Sequence, residues 1–97
     1  MQDVNQIFKE LIQKQLYPAK ILEVTVEENE DHDGDPVIDF RIIFEAENDL
    51  IDPDKGVALP RILHPTIREI YKGKHYASFS YMTPEEVEYY RTLPFDF

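Results

Sequence analysis

The sequence predicts a small α+β domain with the element order α-β-β-α-β-α, in which helices cover one face of a three-stranded antiparallel sheet. Three observations lead to this fold class: an apolar stripe at helical spacing near the N-terminus, two segments of alternating apolar and polar residues, and a helix-capping motif near the C-terminus. With 97 residues and 42% hydrophobic content, the chain has room for one domain with a small core, which we place over residues 1–97.

The first helix is predicted from Asp3 to Gln15. It should end near Tyr17, because the residue before a proline, here Pro18, disfavours helical geometry. The apolar residues that recur every three or four positions, and so form one stripe of this helix, are Val4, Ile7, Phe8, Leu11, Ile12 and Leu16.

Two half-buried strands follow, in residues 20–28 and 37–46, because apolar and polar residues alternate in both. If the two apolar rows share a face, the numbers of directly opposed residues must add to an even sum. A two-residue turn at 33–34 gives opposed residues a sum of 67, which is odd. A three-residue loop at 32–34 gives a sum of 66 and places Gly34 where a left-handed residue is needed. A five-residue loop at 31–35 keeps the same register as the three-residue loop. The predicted pairs are Leu22 with Phe44, Val24 with Ile42, and Val26 with Phe40.

The second helix is predicted from Pro65 to Lys72, with Gly73 as its C-cap. A helix start is also indicated near Pro53, but Pro60 and Pro65 should kink or separate any earlier helical turn.

The third strand is predicted over residues 75–82, where Ala77, Phe79 and Tyr81 should share one side. A short closing helix follows. It begins with Thr83 as N-cap, Pro84 at the first helical position and Glu86 at the third, which together form a capping box.

The acidity of the chain is concentrated in one segment. Residues 23–54 carry thirteen carboxylates against one base, Arg41, a local net charge of −12, whereas the rest carries seven acids and nine bases, a net of +2. We therefore expect a basic protein as partner rather than a nucleic acid, which this segment would repel. Nucleic-acid binding would require a small basic cluster, Arg61, Arg68, Lys72 and Lys74, to act alone.

The stretch 31–42 resembles an EF-hand calcium loop, with aspartates at Asp31, Asp33 and Asp35. The resemblance is incomplete at two decisive positions: Pro36 replaces the glycine needed for the sharp turn, and Ile42 replaces the bidentate glutamate. We expect a hairpin tip that binds a divalent cation only weakly, and we predict no metal site and no cofactor.

No catalytic signature is present. Ser78 and Ser80 lie in a strand without a glycine elbow, and neither His64 nor His75 has the sequence context of a catalytic base or of a closed zinc site. The element order partly resembles that of double-stranded-RNA-binding domains, which hold phosphates with basic residues. The charge here has the opposite sign, so that function is not carried over.

Two adjacent tyrosines, Tyr89 and Tyr90, cannot both face inward on a short helix, and Phe95 and Phe97 follow near the terminus. Exposed aromatic residues are enriched in protein interfaces. Together with the carboxylates of residues 27–35, the tyrosines complete a predicted partner-binding set of Glu27, Glu28, Glu30, Asp31, Asp33, Asp35, Tyr89 and Tyr90.

The leading hypothesis is a non-enzymatic, cytoplasmic interaction module that binds a basic protein, in the manner of an inhibitor, an antitoxin or an accessory subunit. The alternative is an accessory domain that binds a cation or ligand at the acidic hairpin tip. The absence of cysteine and of any apolar run near the ~20 residues of a membrane span favours a soluble protein without a signal peptide. The sequence leaves self-association open.

Overall fold

The computed structural model describes residues 3–71 and 75–91 of the chain. The predicted element order and the three-stranded sheet are confirmed. The elements are α1 (Val4–Leu16), β1 (Lys20–Glu30), β2 (Pro36–Glu45), a 3-10 turn (Glu47–Asp49), α2 (Pro53–Ile70), β3 (Tyr76–Met82) and α3 (Pro84–Arg91).

Helix α1 has the predicted limits and the predicted buried stripe. Asp3 is its N-cap, and its carboxylate accepts a hydrogen bond from the backbone N–H of Asn5 at 2.9 Å. The helix ends at Leu16, and Tyr17 turns to extended geometry before Pro18. Its residues Phe8, Ile12 and Leu16 are buried.

The sheet is mixed rather than antiparallel. β2 lies in the centre and pairs antiparallel with β1, as predicted, but β3 runs parallel to β2. The reason is helix α2, which carries the chain from the end of β2 back to the level of its start, so that the next strand runs in the same direction. The antiparallel prediction for β3 was therefore wrong.

The predicted register of the hairpin is confirmed over most of its length, since Val24 pairs with Ile42 and Val26 with Phe40. The predicted pair of Leu22 with Phe44 is wrong, because the register shifts between Ile21 and Glu23. This β-bulge places Ile21 opposite Phe44 and buries it, at 4% exposure, while Leu22 is only half-buried.

One face of the sheet, here called the core face, consists of alternate residues of β2 and packs against α1. Phe40 lies at its centre: its ring contacts that of Phe8 edge-to-face, with centroids 5.0 Å apart, and stacks on that of Phe79, also at 5.0 Å. Phe79 and Tyr81 join the core as predicted, but Ala77 is exposed. The β2 residues of the core face are Ile38, Phe40, Ile42 and Phe44.

Side chains of α1 also satisfy backbone groups of β1, which is an edge strand. The side-chain oxygen of Asn5 accepts a hydrogen bond from the N–H of Val26 at 3.0 Å, and that of Gln13 accepts one from the N–H of Ile21 at 2.8 Å. Edge strands otherwise present unpaired N–H groups to other chains. Helix α1 therefore protects this edge of the sheet.

Helix α2 is continuous from Pro53 to Ile70, so the prediction of a helix limited to residues 65–72 was wrong. Pro60 and Pro65 each remove a backbone hydrogen bond, but both are exposed, so water can reach the carbonyl groups that lose their partners. The opposite side of the helix buries Leu59, Leu63 and Ile67 in the core, which favours one uninterrupted helix. The predicted cap Gly73 lies outside the described residues.

Helix α3 begins with the predicted capping box. The Thr83 hydroxyl accepts a hydrogen bond from the N–H of Glu86, and the Glu86 carboxylate accepts one from the N–H of Thr83, both at 3.2 Å. Val87 of this helix lines a depression with Thr25, Arg41, Ile42, Ile43, Ser80 and Met82. All of these strand residues except Ile42 alternate with the core-face positions, so the helix lies on the second face of the sheet. The prediction of helices on one face only was therefore wrong for α3.

None of the helices in residues 3–71 and 75–91 has the length and apolarity needed to cross a bilayer.

Replacement of Phe40 by alanine should lower the free energy of unfolding by about 3–5 kcal/mol, because the ring fills a buried position between two other aromatic rings. Urea unfolding followed by circular dichroism measures the loss. The matched control is Tyr76→Ala, at a side chain that is 54% exposed, where we expect a loss below about 1 kcal/mol. Equal losses at the two positions would contradict this account of the core.

Candidate functional site

The predicted partner-binding carboxylates lie on a protrusion of the sheet, here called the acidic hairpin (residues 27–39). The core ends at Ile38, which is fully buried, and every residue from Glu27 to Pro36 is exposed. At the usual rise per strand residue, the paired strands extend about 10 Å beyond Ile38 before the turn. Four carboxylates therefore project beyond the core, on Glu30, Asp31, Asp33 and Asp35, and the exposed carboxylates of Glu27 and Glu28 lie at the base of the hairpin, opposite Asp39 and Ile38.

The turn of the acidic hairpin has the predicted three-residue geometry. The N–H of Asp31 donates to the carbonyl of Asp35 at 3.0 Å, and the N–H of Gly34 donates to the carbonyl of Asp31 at 3.1 Å. Gly34 has a φ of 82°, in the left-handed region that favours glycine. Parity predicted the register, and these two hydrogen bonds select the three-residue loop over the loop at 31–35, which would have kept the same register.

Asp31 has a structural role within the tip. One of its carboxylate oxygens accepts hydrogen bonds from the backbone N–H groups of Asp33 and Asp35, both at 2.9 Å. Such contacts between an aspartate and the backbone two and four residues later stabilise tight turns. The negative charge of Asp31 is thus partly offset by two N–H dipoles, and the turn is held together from within.

A second group of polar residues lies where the hairpin joins the sheet. The amide of Asn29 donates to the carboxylate of Asp39 at 2.6 Å, and Glu27 lies directly opposite Asp39 in the register, as predicted. Like charges in opposed positions destabilise a strand pair. Arg41 faces Thr25 as predicted, but it forms no ion pair with a carboxylate in the part of the chain that the structure describes.

Within residues 3–71 and 75–91, no basic side chain neutralises the carboxylates of the hairpin by an ion pair. The ion pair that is found there joins Arg91 to Glu88 at 3.9 Å, on α3. No lysine or arginine of the described residues comes within ion-pair distance of the six carboxylates.

Three aspartates at the tip approach one another closely. One carboxylate oxygen from each of Asp31, Asp33 and Asp35 lies within 4.8 Å of the others, and all three residues are exposed. The EF-hand interpretation is excluded by the local fold, since strands rather than helices flank the loop. Oxygen ligands without a surrounding cage suit a weakly held divalent cation.

Tyr71, the residue after α2, senses the charge at the base of the hairpin. Burial raises the pKa of Tyr71, and the negative charge of Glu28 raises it further. Both causes disfavour the charged tyrosinate.

The predicted tyrosines lie at the other end of the sheet. Tyr89 and Tyr90 are 62% and 59% exposed, and they line an open pocket together with Asp49, which follows β2. The hairpin tip precedes β2, and the ten residues of this strand span about 30 Å. The structure therefore does not combine the tyrosines and the acidic hairpin in one site. Phe95 and Phe97 lie outside the described residues.

The residues considered for catalysis and for nucleic-acid binding are not assembled into sites. Ser78, Ser80 and His64 are exposed, and within the described ranges no hydrogen bond joins a histidine to a serine. His75 packs beside the ring of Tyr71, with centroids 5.9 Å apart. Arg61 and Arg68 are exposed on α2, whereas Lys72 and Lys74 fall outside the described residues.

Compared with protein-family models, with curated proteins and with solved structures, the chain matched none.

Replacement of Gly34 by alanine should destabilise the hairpin, because a Cβ at a φ of 82° costs about 1–2 kcal/mol even though nothing lies within 4 Å of it. The matched control is Gly56→Ala in α2, where the added Cβ meets only Ile51 at 4.0 Å and the helix should gain about 0.5–1 kcal/mol. Hydrogen exchange of residues 27–39 and urea unfolding measure both effects. A neutral Gly34→Ala would contradict the turn geometry.

Replacement of Glu28 by glutamine should lower the pKa of Tyr71, because the negative charge that disfavours tyrosinate is removed. The pKa should stay above its ordinary value, since burial remains. Carbon NMR of the tyrosine ring across alkaline pH measures the change. Glu27→Gln removes the same charge from the opposite face of β1 and should leave this pKa unchanged; an equal effect of both variants would contradict the placement of Glu28.

Proposed function

We propose that this protein is a non-enzymatic interaction module whose acidic hairpin binds a basic surface on a partner protein. The observation that carries the proposal is the set of six exposed carboxylates on the acidic hairpin, four of them beyond the core, without a lysine or arginine of the described residues within ion-pair distance. The carboxylates on such a surface repel one another, and the positive charges of a basic partner would reduce that repulsion. The partner's lysine and arginine side chains would supply the missing opposite charge.

The shape of the hairpin supports the same proposal. Paired strands hold the carboxylates of Glu27, Glu28 and Glu30 on alternating faces, so that a groove or cleft in a partner can contact both sides of the protrusion. The turn is held by Asp31, which limits the ordering cost of binding.

An inhibitor or antitoxin that guards a nucleic-acid enzyme is one role with these requirements. The active surface of such an enzyme is basic because it holds phosphates, and a row of carboxylates can occupy the same surface. An accessory subunit bound to a basic protein has the same requirement. This part of the proposal follows from charge alone.

The second candidate is a cation-binding domain, favoured by the 4.8 Å cluster of oxygens from Asp31, Asp33 and Asp35. One oxygen of Asp31 is already engaged by two backbone N–H groups, which reduces the ligands available to a metal. We therefore rank this function below partner binding.

Neutralisation of the hairpin should weaken binding to a basic peptide. The variant Glu30→Gln, Asp33→Asn, Asp35→Asn keeps side-chain shape and should raise the dissociation constant of an octalysine peptide roughly tenfold, at about 0.5 kcal/mol for each exposed charge. Amide NMR of the intact chain follows the titration. The matched control, Glu10→Gln, Glu45→Gln, Glu69→Gln, removes the same charge from exposed positions elsewhere and should change the constant far less.

Salt and calcium separate the two candidate functions. Sodium chloride at ~0.5 M should abolish most of the peptide binding, because exposed charges are screened beyond a few ångströms. Calcium should produce only weak shifts, at millimolar concentration. Saturating shifts confined to residues 31–39 at micromolar calcium would favour the cation-binding function, and equal weakening by the two triple variants would reject the hairpin as the binding surface.

A further inference from the structure

A second surface, at the opposite end of the sheet, has the chemistry of a binding site. The rings of Tyr89 and Tyr90 on α3 have centroids 5.5 Å apart and planes at 79°, so they are nearly perpendicular and in edge-to-face contact. Their side chains remain 62% and 59% exposed. Both side chains are thus more than half exposed and line an open pocket, to which they contribute aromatic surface.

Carboxyl groups complete the lining of this pocket. Asp49, Glu85 and Glu86 line it together with the tyrosines and Thr83, and no basic residue among those that the structure describes does so. Glu86 is already bound to Thr83 in the capping box. Asp49 and Glu85 are thus the two acidic residues of the pocket that do not belong to the capping box.

The backbone brings Asp49 to the pocket through an unusual turn. Asn48 and Asp49 have φ values of 59° and 56°, in the region that only glycine adopts without cost, and the N–H of Asp49 donates to the carbonyl of Ala46 at 3.0 Å. This turn follows immediately after β2. Asp49 and Tyr90 line the same pocket although 40 residues separate them.

We propose that the pocket formed by Tyr89, Tyr90, Asp49 and Glu85 binds an arginine side chain of a peptide or protein. The face of a tyrosine ring attracts a cation, and the neighbouring carboxylates select the same sign of charge. A planar guanidinium stacks on one ring while its N–H groups donate to a carboxylate, a combination that the ammonium group of lysine does not offer. The backbone N–H groups in the first turn of a helix favour anions. At the start of α3, however, the carboxylates of Asp49, Glu85 and Glu86 line the pocket and favour a cation.

This inference goes beyond the proposed function of the acidic hairpin and does not depend on it. The two surfaces lie at opposite ends of β2, about 30 Å apart at the usual rise per strand residue. Arginine binding at the tyrosine pocket is therefore expected even if the hairpin binds nothing.

The test is an amide NMR titration of the intact chain with the peptide Gly-Arg-Gly-Arg-Gly. Saturating shifts should appear at Asp49, Glu85 and Tyr90. A matched peptide with citrulline in place of arginine keeps the planar group without its charge and should bind at least threefold more weakly. Tyr90→Leu should weaken binding of the arginine peptide about threefold through loss of the cation–π contact, while Tyr76→Leu, at an exposed tyrosine of β3, should not.

Two further variants test the pocket independently of Tyr90. Asp49→Asn preserves the shape of the pocket and should also weaken binding about twofold to threefold, so the proposal can be tested even if Tyr90→Leu fails to fold. The hairpin variant Glu30→Gln, Asp33→Asn, Asp35→Asn should leave the shifts at the pocket unchanged. Shifts confined to residues 27–39, equal binding of the citrulline peptide, or no effect of either pocket variant would overturn the proposal.

Discussion

The contact of Phe40 with two other aromatic rings is the interaction on which the rest of the structure depends. Phe40 is 1% exposed at the centre of the middle strand, where it packs edge-to-face on Phe8 of α1 and stacks on Phe79 of β3. It thereby joins the N-terminal helix, the central strand and the strand that follows the long crossover. Because β3 has few other buried residues, this stack fixes where the parallel strand attaches and, with it, where α3 begins.

The acidic hairpin is stabilised in a different way from the core. Beyond Ile38 no residue up to the turn is buried, so the backbone hydrogen bonds between β1 and β2 and the contacts of Asp31 hold the strands together. Burial of apolar surface, the dominant favourable term in folding, contributes little there. Because apolar burial contributes little to the hairpin, repulsion between its carboxylates costs the core little stability. The same carboxylates place negative charge where it is exposed to solvent.

The topology separates the two surfaces that we propose for binding. β2 begins at the acidic hairpin and ends near Asp49, and the parallel strand β3 delivers α3 to that same far end. An antiparallel third strand would instead have delivered α3, with Tyr89 and Tyr90, to the end of the sheet that carries the hairpin. The direction of one strand thus decides whether the chain has one combined site or two distant ones. In these two proposals, both surfaces would select basic partners, one by charge density and the other by ring and carboxylate geometry.

The sequence by itself determined the features that depend on neighbouring residues. The stripe of α1, the register of Val24 with Ile42, the left-handed Gly34 and the capping box of Thr83 all follow from spacing, parity or hydrogen bonds within a few residues. The acidic hairpin, as an exposed cluster, was predictable for the same reason. The tertiary structure alone decided the direction of β3, the continuity of α2 through Pro60 and Pro65, the face occupied by α3, and the approach of Asp49 to Tyr90. These features depend on burial between segments that are far apart in the chain. A local sequence pattern shows that a segment has an apolar face, but it does not show which distant segment will cover that face.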